Sequence, residues 1–201
     1  MIRLNDEFIP PPRSKCSADE IPGLIASLQQ GDAAERNRAL TRLVELKAEK
    51  ELTNCLCSQE VLTVQLATAG LWECWLNEQG ASAREMIDEG IELMNADRRD
   101  AAAEVFQALM KRYPNWAEPI NKQATLLYLS DKPAESIELC VKVVALKPDH
   151  FGAWNGMALC AVQLEDWRTA LFAARKALSI QPCAEPNREI IRLAESKLNK
   201  T

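Results

Sequence analysis

"ALMKRYP" (residues 108–114), "VVALKPD" (143–149) and "ALSIQPC" (177–183) each carry an apolar helical run into a proline. The prolines are Pro114, Pro148 and Pro182, and the differences 148 minus 114 and 182 minus 148 are both 34. A repeat of that length accommodates two helices and their turns, one supersecondary unit that buries its apolar face only by stacking on a neighbour. Setting each proline at position 32 divides the chain into units 83–116, 117–150 and 151–184. Position 8 is then Gly90, Ala124 and Ala158, and position 20 is Ala102, Ser136 and Ala170. Small side chains belong where two helices cross closely, because a larger one would hold them apart. Large apolar residues fill the space between: Met86, Ile120 and Trp154 at position 4, Leu93 and Leu127 at 11, and Leu109 and Val143 at 27.

On these residues the sequence resembles the tetratricopeptide repeat (TPR) family. The family's pattern is large apolar at 4, small at 8, Ala at 20, aromatic at 24, Ala at 27 and Pro at 32. The resemblance covers residues 83–184, about half the chain. Cys140 and Ala174 depart from it at position 24, where only Phe106 is aromatic, and Pro133 departs at position 17. Each unit is expected to hold a first helix of about 13 residues, a turn ("NADRRD", "SDKP", "LEDW") and a second helix of similar length. Pro133 can open its helix because the first turn needs no internal N–H bond. The expected fold is all-α: a right-handed superhelix of antiparallel helix pairs with an N-terminal helical extension. Residues 185–201, with Ile190, Ile191, Leu193, Ala194 and Leu198 inward, form the capping helix that an open array end requires.

Upstream the period fades. Residues 1–16, with Pro10, Pro11 and Pro12, are expected to form an extended arm. Within 17–82, "SADEIPGLIASLQQ" and "DAAERNRALTRLVELKAEK" predict two amphipathic helices, the second with Ala39, Leu40, Leu43, Val44 and Leu46 as its stripe. "SQEVLTVQLATAGLWECWLNEQG" predicts a third. Carrying the frame backwards puts Trp72 at position 24 and Trp75 at 27, which makes 49–82 a degenerate repeat stacked on the first unit. A separate helical-hairpin domain is the rival reading.

With 47% hydrophobic and 26% charged residues, the composition is that of a folded, soluble chain. No apolar run nears the roughly 20 residues that span a bilayer. The net charge of −5 gives no electrostatic reason to expect nucleic acid, which needs a clustered positive surface. Seven cysteines, odd in number and scattered, predict a reducing compartment. That is the cytoplasm, or an organelle interior such as a plastid stroma or mitochondrial matrix if a transit peptide has been removed.

Little here carries catalysis. There is no GxSxG elbow, no phosphate-cradling glycine loop and no HExxH, and His150 is the only histidine. Cys55 and Cys57 form a CxC pair without the further ligands of a structural zinc site, and Cys140 and Cys160 lie on neighbouring helices. No enzyme, cofactor or metal is therefore expected.

The resemblance implies instead that positions 2, 5, 6, 9, 12 and 13 line a concave groove. In the first unit these are Arg84, Ile87, Asp88, Ile91, Met94 and Asn95. In the second they are Glu118, Asn121, Lys122, Thr125, Tyr128 and Leu129. In the third they are Gly152, Asn155, Gly156, Leu159, Val162 and Gln163, with Trp116 and His150 flanking at the unit junctions. Asn121 and Asn155 share position 5, so their amides either form a ladder for an extended peptide backbone or stand solvated. Gly152 and Gly156 either open a strip beside Asn155 for a close backbone approach or merely loosen the helix.

Family members that clamp the acidic tails of heat-shock chaperones need basic residues or Asn at positions that here hold Ile87, Ile91, Lys122, Gly152 and Gly156. Only Lys122 is basic, so the clamp is absent and that partner is not expected. The expected function is a non-enzymatic adaptor or assembly factor, chaperone-like in binding a partner protein's segment in the groove. Two alternatives stand: a structural subunit docked through the N-terminal arm and helices, and a thiol-based redox sensor using Cys55 and Cys57.

Overall fold

A computed structural model describes residues 17–200, and among them it shows eleven α-helices and no strand. They are α1 (Ser17–Gln30), α2 (Ala33–Glu45), α3 (Glu49–Cys55), α4 (Val61–Leu76), α5 (Ala81–Asn95), α6 (Arg99–Arg112), α7 (Ala117–Leu129), α8 (Pro133–Leu146), α9 (Phe151–Gln163), α10 (Trp167–Ile180) and α11 (Glu185–Leu198). The expected arm at 1–16 and the final residue of the capping segment lie outside the described residues.

The second helix of each unit ends by the same means. Its cap, Tyr113, Lys147 or Gln181, precedes a repeat proline and has left the helical region, with ψ of 72°, 92° and 82°. A proline ring clashes with a helical residue before it, so the period written in prolines is a period of helix stops. The turn inside each unit repeats as well. Asp97, Asp131 and Glu165, 34 residues apart, have φ of 57°, 57° and 56°. In each turn the next amide reaches back to a carbonyl five residues earlier: Arg98 to Leu93, Lys132 to Leu127 and Asp166 to Ala161, all 2.9 Å. This is a Schellman closure built on a non-glycine left-handed residue.

Lys47, with φ of 52°, makes the same turn upstream, and the Ala48 amide donates to the Leu43 carbonyl at 3.0 Å. It divides the single helix expected over 32–50 into α2 and the start of α3. No glycine or asparagine marks the break, so the pattern of apolar residues runs straight across it.

The pairs α5/α6, α7/α8 and α9/α10 stack in order, with α11 on the open end. Helix spacing follows the side chains at positions 8 and 24. In the first unit Gly90 faces Phe106, whose Cε1 stands 2.5 Å from where a β-carbon at 90 would lie. The other two units pair Ala124 with Cys140 and Ala158 with Ala174, all buried. A missing methyl in one helix thus makes room for the aromatic ring of the other. Helix α10 buries only alanines, Ala170, Ala173, Ala174 and Ala177, which lets α9 and α11 approach from both sides.

Helices α1 to α4 make a bundle with its own core of Leu28, Leu43, Leu52, Leu56 and Leu71. Helix α4 packs chiefly on α2 and α3 and reaches across to α7, rather than standing beside α5 as a second helix would. Trp72 and Trp75 turn toward His150 and Phe151, at the start of the third unit, and Phe151 and Ile180 join the bundle's core.

Candidate functional site

Part of the expected groove is already filled by the chain itself. The Trp75 ring is buried and stacks on His150 with centroids 4.3 Å apart and planes 20° from parallel. Its Nε1–H donates to Glu49 Oε2 at 2.9 Å, and its carbonyl accepts the Trp116 Nε1–H at 2.8 Å. Trp72 meets His150 and Phe151 edge-on and lies under the Lys122 ammonium, 4.8 Å from its ring centroid. Such ring edges and cation faces add modestly, about 0.5–1.5 kcal/mol each, to the larger gain from burying two indoles. Lys147, held by Glu49 at 3.1 Å and Glu78 at 3.3 Å, ties the bundle to the end of α8.

Four of the expected groove residues are therefore core residues. Ile87, Trp116, Glu118 and His150 are fully buried. Ile87 faces Phe106 and Leu109 within its own unit, α4 packs on Trp116 and His150, and Glu118 is held by His150 and Lys122. His150 caps α9: its Nδ1 accepts the Ala153 N–H at 3.1 Å, which leaves Nε2 to carry the proton that it donates to Glu118 Oε1 at 2.8 Å. Burial pushes the Glu118 carboxyl up, but the His150 hydrogen bond and Lys122, 3.6 Å from Oε2, outweigh it and hold the group below the usual carboxylate range. A carboxylate and imidazole at this distance resemble an acid–base pair. Neither has any exposed surface through which a substrate could approach, and their partners are a helix end and a salt bridge. Their role is to close the junction between α7 and α9.

The remaining expectations separate by place. Arg84 is tied to Glu73 at 2.6 Å and Asp88 at 2.7 Å, and Ile91 packs into the first unit's core. Gln163 donates to Asp131 Oδ1 at 2.5 Å on the rim. Gly152 is filled rather than open, since a β-carbon there would sit 2.6 Å from Trp72 Cη2.

Eight expected residues do converge. Asn121, Thr125, Tyr128 and Leu129 of α7 and Gly152, Asn155, Gly156 and Leu159 of α9 line one cleft of about 290 Å³, with Ser136 and Cys140 of α8 in its wall. Asn121 is only 6% exposed, and its side-chain amide forms no hydrogen bond among the described residues, so the little surface that it keeps is open to the cleft. Asn155 Oδ1 accepts from Asn187 Nδ2 at 2.8 Å, which fixes the amide and leaves its own N–H groups free. Leu129 and Leu159, 46% and 43% exposed, form the lips. Amides at the floor and leucines at the mouth suit a peptide segment that offers backbone polar groups and one apolar side chain.

Sequence reasoning missed the plug. Its signal lay in α4, where Ala67, Gly70, Leu71, Trp72, Cys74, Trp75 and Leu76 leave almost no polar side, the mark of a helix covered all round. The thiols fit burial rather than reactivity. Desolvation pushes Cys74 and Cys140 up to about 12 and raises Cys55 and Cys160, and only Cys57 and Cys183 among the described cysteines are exposed. Among the described residues no cluster of His, Cys, Asp and Glu could hold a metal, and no helix is long and apolar enough to cross a membrane.

No family model matches the chain. It is similar to a curated TPR repeat-containing protein of Rhizobium etli, 24% identical over 124 residues, 62% of this chain and 61% of the relative. The chain thus spans about three fifths of the length of the curated relative it matches. Among solved structures it is similar to the first TPR of Spaghetti bound to an HSP90 peptide, with a TM-score of 0.55 and 17% identity over 57% of this chain and 90% of that one. The P58(IPK) TPR domain gives 0.52 and 19% over 92% and 52%. The TPR2AB domain of yeast Sti1, in a complex with HSP90, gives 0.50 and 19% over 89% and 78%. Identities this low speak for the fold alone, and the fold agrees with the 34-residue period, the repeated turn and the stacked pairs. The chain thus has the fold of tetratricopeptide-repeat proteins, an all-α superhelix of three stacked helix pairs with a four-helix bundle before it and a capping helix after it.

Proposed function

We propose that the chain is a non-enzymatic protein-interaction module that holds a short segment of a partner protein in the cleft between α7 and α9. The observation that carries this reading is Asn121: a mostly buried residue whose amide makes no hydrogen bond among the described residues and opens into a cleft whose lips are exposed leucines. A bound backbone would satisfy it, and Tyr128 and Asn155 would orient the segment. Two of the similar structures carry HSP90 ligands, which supports peptide binding as the kind of function. The segment proposed here is different in charge. Of the positions that a carboxylate clamp needs, only Lys122 is basic, and it is engaged by Glu118 and Trp72. An uncharged or apolar segment is the better match. Of the two cysteines that redox sensing would use, Cys55 is buried with its thiol pushed up by desolvation, which favours this reading over redox sensing.

The test is affinity capture from the native source by the full chain and by an Asn155→Ala/Tyr128→Ala variant, with helicity checked by circular dichroism. Loss of two such contacts should weaken capture roughly thirtyfold, the effect of about 2 kcal/mol. Undiminished capture by a folded variant would exclude the cleft.

A further inference from the structure

The chain's charge is unevenly placed. Residues 167–201 hold seven of the 24 basic and three of the 29 acidic residues, a net of +4, which leaves residues 1–166 with 17 and 26, a net of −9. The centre of this reversal is α10, "WRTALFAARKALSI", which contains no acidic residue. Arg168, Leu171, Phe172, Arg175, Lys176 and Ser179 recur every three or four residues and so form one stripe along it. With Leu198 of α11 they line an outer cleft of about 490 Å³ that shares no residue with the cleft between α7 and α9.

Three features set this stripe apart from an ordinary solvated face. Phe172 is 54% exposed, yet its ring is fixed by an edge contact with Trp154 at 5.8 Å and a Lys176 ammonium 5.9 Å from its centroid. Arg175 is paired with Glu195 at 2.7 Å, whereas Arg168 and Lys176 form no salt bridge among the described residues. The two unpaired cations are eight residues apart, about 12 Å along the helix, with the apolar pair Leu171 and Phe172 between them.

We propose that this outer cleft docks an acidic amphipathic helix of a partner protein. The complement of the stripe is a helix with carboxylates about two turns apart and large apolar residues between them, a spacing of i, i+3 or i+4, and i+7. A short segment suits the charge distribution better than a polyanion does. Beyond the Debye length of about 8 Å at physiological salt a short ligand no longer feels the net −9 of the remainder, whereas nucleic acid or an anionic bilayer extends over it. The apolar centre likewise favours side chains over phosphates.

The probe is a synthetic 15-residue helical peptide with Glu at two positions seven apart and Leu at the third and fourth positions between them, followed by fluorescence anisotropy against the full chain. The proposal expects binding that weakens between about 50 and about 300 mM NaCl. It expects affinity to fall roughly tenfold or more in Arg168→Glu/Lys176→Glu, since two attractive pairs become repulsive, and to fall in Phe172→Ala. The Asn155→Ala/Tyr128→Ala variant should bind the probe as the parent does. All these positions except Asn155 and Tyr128 lie on the outer surface, and matched unfolding curves confirm that the variants fold. The proposal is overturned if the parent does not bind the probe, if Arg168→Glu/Lys176→Glu binds it equally well, or if Asn155→Ala/Tyr128→Ala loses it. Binding of phosphatidylserine vesicles without binding of the peptide, or self-association abolished by the charge reversals, would overturn it too.

Discussion

Replacing Gly152 and, separately, Gly156 by alanine should move stability in opposite directions, although the two lie four residues apart on α9. In a helix interior alanine is favoured over glycine by about 1 kcal/mol. At Gly156 that gain should appear nearly in full, because the nearest atom to the new β-carbon would be Cys140 Sγ at 3.4 Å, an ordinary contact. At Gly152 the same carbon would meet Trp72 Cη2 at 2.6 Å, Trp72 Cζ2 at 3.1 Å and His150 Cε1 at 3.2 Å. Trp72 has no room to retreat. The Trp75 and Phe151 rings stand edge-on 5.2 Å away, and the Lys122 ammonium covers one face. Overpacking of this kind costs about 1–3 kcal/mol, and Gly152, second in its helix, recovers only part of the propensity gain. The two variants should therefore differ by about 2–3 kcal/mol, or roughly 5–10 °C in Tm for a chain of this size. Urea unfolding followed by tryptophan fluorescence measures the difference. In a Trp72→Leu background the penalty at 152 should largely vanish, a coupling expected only of residues in contact. Equal stabilisation at both glycines, with no coupling to Trp72, would mean that α4 is not seated on α9.

The buried pair and the thiols give two further expectations. Glu118 has a depressed pKa, so its contribution is complete above the unfolded carboxylate value and is lost as pH falls through the lower folded one. Glu118→Gln keeps an acceptor for the His150 N–H, so its urea midpoint should lie below the parent's at about pH 7 and approach it by about pH 3; a gap independent of pH contradicts the assignment. In native protein, thiol labelling should reach Cys57 and Cys183 quickly and spare Cys55, Cys74, Cys140 and Cys160 until unfolding. Rapid native labelling at Cys74 or Cys140 would show that the core around α4 or α8 opens readily.

How much of this was legible in the sequence depended on how local the cause is. Pro114, Pro148 and Pro182 stop helices by a clash with the preceding residue, so their spacing alone marked the units. Small residues at Ala102, Ala158 and Ala170 forecast helix crossings because the crossing partner is always one turn or one unit away. The eight expected residues that share the cleft came from the same reasoning. Helix α3 escaped because a lysine in the left-handed region, Lys47, makes a turn that glycine usually announces. Ile87 escaped for a different reason: its face of α5 closes on the partner helix, so the inherited groove position was buried within the unit.

By itself, then, the sequence determined the repeat, its frame and the helix pairs, because each follows from contacts within one 34-residue unit or its neighbour. Only the tertiary structure decided that α4 lies across the third unit's start and that Trp116, Glu118 and His150 are core. Those contacts join Glu49 to Lys147 and Thr68 to Gln181, separated by 98 and 113 residues, where no periodicity relates the partners. A helix with as little polar surface as α4, whose polar residues are only Thr63, Gln65, Thr68 and Glu73, states that it must be covered, but not by what. The answer depends on which distant surface offers a matching gap, and Gly152, lacking a side chain, supplied the space for Trp72.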